Sequence, residues 1–183
     1  MAFIFGKNIF RFYITGGTDR PISQRSPRAF GPLGLSHRIH LLRDLRRIEL
    51  ALMADDLTSW TQLRLQARTR YFVDILQEHA GDANKQSVLT QLDVSIGVRE
   101  RSIPRARPCW VFEDLRRMEK SETRTVSDQL LFALEPLASF QGISDITVRG
   151  APDWFKQCLE MRIRGEGGEL EILNWPTKTV RRQ

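Results

Sequence analysis

The stretch Leu45-Arg46-Arg47-Ile48-Glu49-Leu50-Ala51-Leu52 carries an apolar-x-x-apolar-x-apolar spacing that runs out into alternation. The same spacing returns as Leu89, Leu92, Val94 and again as Ile143, Ile146, Val148. Segments able to form helices separate the copies. This is the pattern of repeated strand-plus-helix units, each unable to bury its apolar face alone. Successive copies lie 44 and then 54 residues apart, against about 20–29 in a regular leucine-rich repeat. Irregular units with inserted helices and loops are therefore expected.

The alternation also assigns faces. Strand–helix–strand order implies parallel strands joined by right-handed crossovers. In a doubly wound sheet both faces are covered and the strands are apolar on both sides. Here Ile48, Leu50 and Leu52 oppose Arg47 and Glu49; Leu92, Val94 and Ile96 oppose Asp93 and Ser95; Ile146 and Val148 oppose Thr147 and Arg149. A period of two puts each polar set on one side. The expected fold is a two-layer α/β domain over residues 1–183, irregular and leucine-repeat-like. Its sheet is mostly parallel, with helices on one face and the other face open. That open face is the candidate protein-binding surface: Arg11, Tyr13, Arg47, Glu49, Asp93, Ser95, Thr147 and Arg149.

Outward from these strands, Asn8 to Ile14 reads as a first strand closed by Gly16-Gly17, and Leu41 to Met53 as the second. Residues 18–36 are punctuated by Gly and Pro too often for a regular element. The clearest helix spans Thr58 to Ala80, with a Ser59/Gln62 capping box and a stripe of Trp60, Leu63, Ala67, Tyr71, Ile75, Phe72 and Leu76. Leu89 to Val98 is the third strand, and 99–124 an irregular insertion. A second helix is expected at Ser127 to Phe140, shortened or kinked by Pro136. Ile143 to Arg149 is the fourth strand. Pro152 opens a helix through Trp154, Phe155, Leu159 and Ile163, stopped by Gly165. Leu170 to Leu173 reads as a further edge strand, and 175–183 as a basic tail.

At 41% hydrophobic and 27% charged residues the composition is that of a globular domain, and no apolar run nears the roughly 18 residues of a membrane span. Cys109 and Cys158 are too few for a disulfide framework, which points to a reducing cytoplasmic or nuclear setting. The net charge is +6. Arginine supplies most of the positive side, in a pattern spread along the chain rather than in one block.

Three strings carry a family resemblance: Phe5-Gly6-Lys7-Asn8-Ile9-Phe10-Arg11-Phe12, Arg28-Ala29-Phe30-Gly31-Pro32-Leu33-Gly34-Leu35 and Pro152-Asp153-Trp154-Phe155. They resemble a group of uncharacterised ascomycete F-box-like proteins, in which a short helical module precedes an irregular leucine-containing α/β region. The resemblance spans nearly the whole chain and brings no catalytic residues with it. It implies that the α/β region captures substrate while the helical module recruits a ubiquitin-ligase adaptor. No counterpart of that module stands before Phe5, so a chain shortened at its N-terminus is expected, retaining the capture half without adaptor recruitment.

Chemistry-bearing constellations are sparse. His37 and His40 lack a third ligand at metal-site spacing, and His79 suits a helix C-terminus. No serine sits in a nucleophile elbow, and no glycine-rich turn has phosphate-loop spacing. Gly165-x-Gly167-Gly168 follows a helix instead of opening one, and Asp55-Asp56 reads as charge at a helix start. Ser26-Pro27 among arginines is a candidate phosphorylation site. No enzyme activity, cofactor or metal is expected. The alternative partner is nucleic acid: Arg99, Arg101, Arg105 and Arg107 could neutralise phosphates and Trp110 could stack on a base.

Overall fold

Four strands, β1 (Ile9–Thr15), β2 (Arg47–Ala54), β3 (Gln91–Val98) and β4 (Asp145–Arg149), lie side by side in chain order and all run parallel. The structure is a computed structural model, and it describes residues 7–17, 39–80, 89–98 and 128–166. Parallel neighbours cannot be joined by a tight hairpin, so a crossover separates each pair. Repeating a right-handed crossover without reversing the strand order leaves every connection on the same side of the sheet.

The core shows that consequence. Phe12, Ile14, Ile48, Leu50, Leu52, Leu92, Val94, Ile96, Ile146 and Val148 point to one face and form a single buried cluster with the helices. The contributors are helix α1 (Ser59–Ala80), helix α3 (Asp153–Arg164), a 3-10 helix at Ile39–Asp44, and a short α2 (Asp128–Leu131) followed by a 3-10 turn at Glu135–Ser139. This is the two-layer, one-sided α/β sheet that the alternation predicts. Each fully buried Leu, Ile or Phe contributes roughly 1.5–3 kcal/mol relative to exposure.

Several elements differ from the sequence reading. The second strand starts at Arg47, because Ile39–Asp44 forms a 3-10 helix. Leu42 and Leu45 are driven fully into the core from that helix and the residue after it. The helix expected over Ser127 to Phe140 breaks after Leu131 and resumes as the 3-10 turn containing Pro136. Pro136 has no N–H to continue an α-helical ladder, while Leu130, Leu131, Leu134 and Leu137 still reach the core. Trp154 lies on α3 but points outward, 53% exposed, whereas Phe155, Leu159 and Ile163 are buried. The strand expected at Leu170 to Leu173, the loops at 18–36 and the insertion at 99–124 lie outside the described residues.

Helix α1 is rotated from its expected setting. Trp60 and Leu63 are exposed at its start, and Thr61, Leu65, Thr69, Phe72, Val73 and Leu76 are buried. The reason is close approach. A side-chain carbon on Gly16, at the end of β1, would run into the methyl of Thr61, so β1 and α1 meet here through small groups where an indole cannot fit. The threonine hydroxyls stay satisfied: Thr69 donates to the Leu65 carbonyl at 2.8 Å, and Arg64 donates to Thr61 Oγ1 at 3.1 Å.

Candidate functional site

Pairing register turns the face opposite the helices into rows. The first row is Ile9, Arg47, Gln91 and Asp145; the second Arg11, Glu49, Asp93 and Thr147; the third Tyr13, Ala51, Ser95 and Arg149; the fourth Thr15, Met53 and Gly97. All eight residues singled out from the sequence thus share one face and three adjacent rows.

Within the second row Arg11 Nε donates to Glu49 Oε2 at 2.6 Å, the two side chains 50% and 16% exposed. Glu49 and Asp93 stand directly opposite one another, a pairing of like charges that destabilises a sheet. Arg11 offsets it from one side, and Gln91 Nε2 donates to Asp93 Oδ2 at 3.0 Å from the other. The basic groups Arg11, Arg47 and Arg149 and the acid Asp145 are exposed, while the acids Glu49 and Asp93 are half-buried. The face therefore presents three guanidinium groups and the Asp145 carboxylate outward.

The face is not uniform from bottom to top. Towards the C-terminal ends of the strands Ser95 is buried at 9%, and Ala51 and Met53 form a second small buried pair with Tyr13 packed against it. Polarity of the side chain alone placed Ser95 at the surface. Its neighbours across the sheet, Ala51 and Arg149, were invisible to that reasoning.

Sequence reasoning also missed the end of the sheet nearest α1. The cap of α1 is Thr58, one residue before the expected Ser59: the Thr61 N–H donates to Thr58 Oγ1 at 3.3 Å, and Gln62 Nε2 reaches back to the Leu57 carbonyl at 3.2 Å. Thr58 donates to Asp56 Oδ1 from its hydroxyl at 2.6 Å and from its N–H at 3.0 Å. These bonds, the Thr58 hydroxyl first, hold the Asp56 carboxyl down at about 2, with Thr61 and the nearby charge of Arg64 acting in the same direction. A lowered carboxylate pKa stabilises the fold above the ordinary value near 3.8, and that contribution disappears as pH falls through about 2. Arg64 Nε donates to the Gly16 carbonyl at 2.8 Å, and Arg68 donates to the Thr15 carbonyl. Two arginines that count towards the basic balance are thus engaged in tying α1 to β1.

Among the described residues no group of three or more His, Cys, Asp or Glu side chains is placed to hold a metal ion, and no helix is long and apolar enough to cross a membrane. His79 occupies the last turn of α1, Gly165 terminates α3 with φ of 81°, and Cys158 is a free, half-buried thiol on α3. The nucleic-acid candidates Arg99, Arg101, Arg105, Arg107 and Trp110, together with His37, Cys109 and Ser26-Pro27, lie outside the described residues.

The class these features define is a one-sided parallel α/β sheet. In open α/β sheets a ligand crevice arises where strand order reverses, and the described strands run 1-2-3-4 without a reversal. What the sheet offers instead is a face that is polar over its first rows and buried around Ala51, Met53 and Ser95. No family model, no curated protein and no solved structure matches this chain.

Proposed function

We propose that this chain is a non-enzymatic, intracellular protein-interaction module that captures a partner protein on the mixed-charge strand face opposite its helices. The observation that carries the proposal is the register: Arg11, Arg47 and Arg149 stand exposed in three consecutive rows of one sheet face, with Asp145 exposed in the row of Arg47 and Glu49 and Asp93 half-buried among them. A rigid sheet holds these groups at fixed spacing, and a fixed pattern of charge orients a partner of complementary pattern. On the ascomycete F-box-like resemblance, such a face is the substrate-capture region of an F-box-like protein.

The test is affinity capture with mass spectrometry on the wild type and on the double charge swap Arg47→Asp/Asp93→Arg. The swap loses the partners held by the wild type at least about tenfold, and a thermal melt checks that it stays folded, since Arg47 is exposed and an arginine at the half-buried position 93 trades the Gln91 hydrogen bond for relief of the Glu49–Asp93 repulsion. An unchanged partner set overturns the proposal.

The competing partner is nucleic acid, favoured by the net charge of +6 and carried by Arg99, Arg101, Arg105, Arg107 and Trp110. Phosphate contacts impose a steep loss of affinity with salt. A gel-shift titration against salt checks this reading, and absence of a shift at low salt disposes of it.

A further inference from the structure

Helix α3 carries two stripes. Phe155, Leu159 and Ile163 are buried in the core, and their spacing of four residues sets them along one side of the helix. Trp154, Cys158, Met161 and Gly165 follow at steps of four, three and four residues, the seam spacing of a coiled coil. This second stripe is turned to solvent. Trp154 is 53% and Met161 38% exposed, Gly165 is exposed and Cys158 half-buried.

The stripe has a shape as well as a spacing. The indole of Trp154 meets the buried ring of Phe155 edge-on, with centroids 5.6 Å apart and planes at 80°, so a large apolar group is held in place at the surface. At the other end Gly165 closes the helix, and nothing lies within 4 Å of a side-chain carbon built on it. One end of the seam is thus a knob and the other an open notch. Laying a second copy of α3 against the first in the reverse direction sets Trp154 over Gly165 and Cys158 against Met161, each pair formed twice about a two-fold axis.

Charge selects the same direction. Asp153 lies in the first turn and Arg162 and Arg164 in the last, so reversal brings each acidic end beside a basic end and aligns the helix dipoles favourably. A parallel pair would set indole on indole, Asp153 on Asp153 and arginine on arginine. Asp153 also accepts a hydrogen bond from Lys156 at 2.9 Å, and Arg164 donates to the Ile146 carbonyl at 3.3 Å. These charges therefore orient the pair, and the apolar seam supplies most of its affinity.

We propose that α3 is a self-association helix, pairing antiparallel with α3 of a second copy of this chain, with Trp154 of each seated over Gly165 of the other. A single helix of 12 residues is small beside the roughly 1,200–2,000 Å² of a stable interface. The pair is accordingly weak, with a Kd between about 10 μM and 1 mM. The helices lie opposite the polar strand face, so a dimer presents that face twice and binds a multivalent partner more tightly than one copy does. The pairing itself does not depend on whether that face binds a partner.

Sedimentation equilibrium of the full chain, from about 10 μM to about 1 mM, tests it. The apparent mass of the wild type rises towards that of two copies. Trp154→Glu and Met161→Glu each raise the Kd at least about tenfold, the effect of a charge buried in an apolar seam. Both side chains are exposed in the single copy, so thermal melts at the dilute end match the wild type. Direction is read from a nitroxide on Glu166→Cys, in a chain that also carries Cys109→Ser and Cys158→Ser. In the reversed pair the two labels lie at opposite ends, about 20 Å apart at a rise of about 1.5 Å per residue; in a parallel pair they lie about 10 Å apart. A wild type that stays monomeric at about 1 mM overturns the proposal and leaves the seam to a helix of another protein. A dimer unaffected by both glutamate variants overturns it, and so does the parallel label separation.

Discussion

Replacing Gly150 with alanine lowers the free energy of unfolding by about 3 kcal/mol, the combined cost of backbone strain and a steric clash. Gly150 ends β4 with φ of +81°, in the left-handed region that costs an L side chain roughly 1–2 kcal/mol. A side-chain carbon there would also run into the carbonyl oxygen of Ile96. Ile96 belongs to β3 and pairs with Leu52 of β2, so it is held from its other side and cannot withdraw. Gly165 is the built-in comparison: its φ is also +81°, but nothing lies within 4 Å of the added carbon. Gly165→Ala therefore costs only the strain. In denaturant titrations the difference between the two variants isolates the clash; equal costs would show that the chain after β4 shifts freely.

Phe72→Ala costs about 3–5 kcal/mol, the range for deleting a buried aromatic side chain with partial collapse of the cavity. Phe72 is completely buried on α1, and its ring meets Phe12 of β1 edge-on, with centroids 5.5 Å apart and planes at 61°. Such aromatic pairs add roughly 0.5–1.5 kcal/mol beyond area burial. The substitution therefore removes a contact between β1 and α1. Trp60→Ala on the same helix changes stability by within about 0.5 kcal/mol, because Trp60 is 68% exposed. Thermal melts of the two variants rank them. A Trp60 variant as damaged as the Phe72 variant would contradict the rotation of α1 described above.

That contrast marks where sequence reasoning reached and where it stopped. Trp60 and Phe72 belong to one apolar stripe by periodicity, and hydrophobicity alone favours burying the indole. The contact between Gly16 and Thr61 decides otherwise, and the two residues stand 45 positions apart in the chain. The same limit applies to capping. Ser59/Gln62 and Thr58/Thr61 have equal spacing, and the choice between them depends on Asp56, which holds Thr58 at the helix start. Pro136 was readable as a disturbance of its helix, but the switch to a 3-10 turn depends on Leu134 and Leu137 both reaching the core.

The candidate face was the most legible part. In a strand the side of each side chain follows from its parity, and the polar residues of β2, β3 and β4 keep that parity at Arg47, Glu49, Asp93, Thr147 and Arg149. Membership of the face is thus a local property of each strand. Its internal order is not. The sequence does not say that Arg11 lies beside Glu49, that Asp93 lies beside Glu49 in turn, or that Ser95 is buried; those follow from how separate strands slide into register.

By itself, then, the amino-acid sequence determined the four described strands, the helices α1 and α3, the strand faces and the one-sided layering, because periodicity and chain order are encoded along the backbone. The tertiary structure decided the rotation of α1, the rows of charge on the open face and the contacts of α3 with β4, where the Val148 N–H donates to Glu160 and Arg164 donates to the Ile146 carbonyl. Each of these depends on distances between residues far apart in the chain, which no local pattern records.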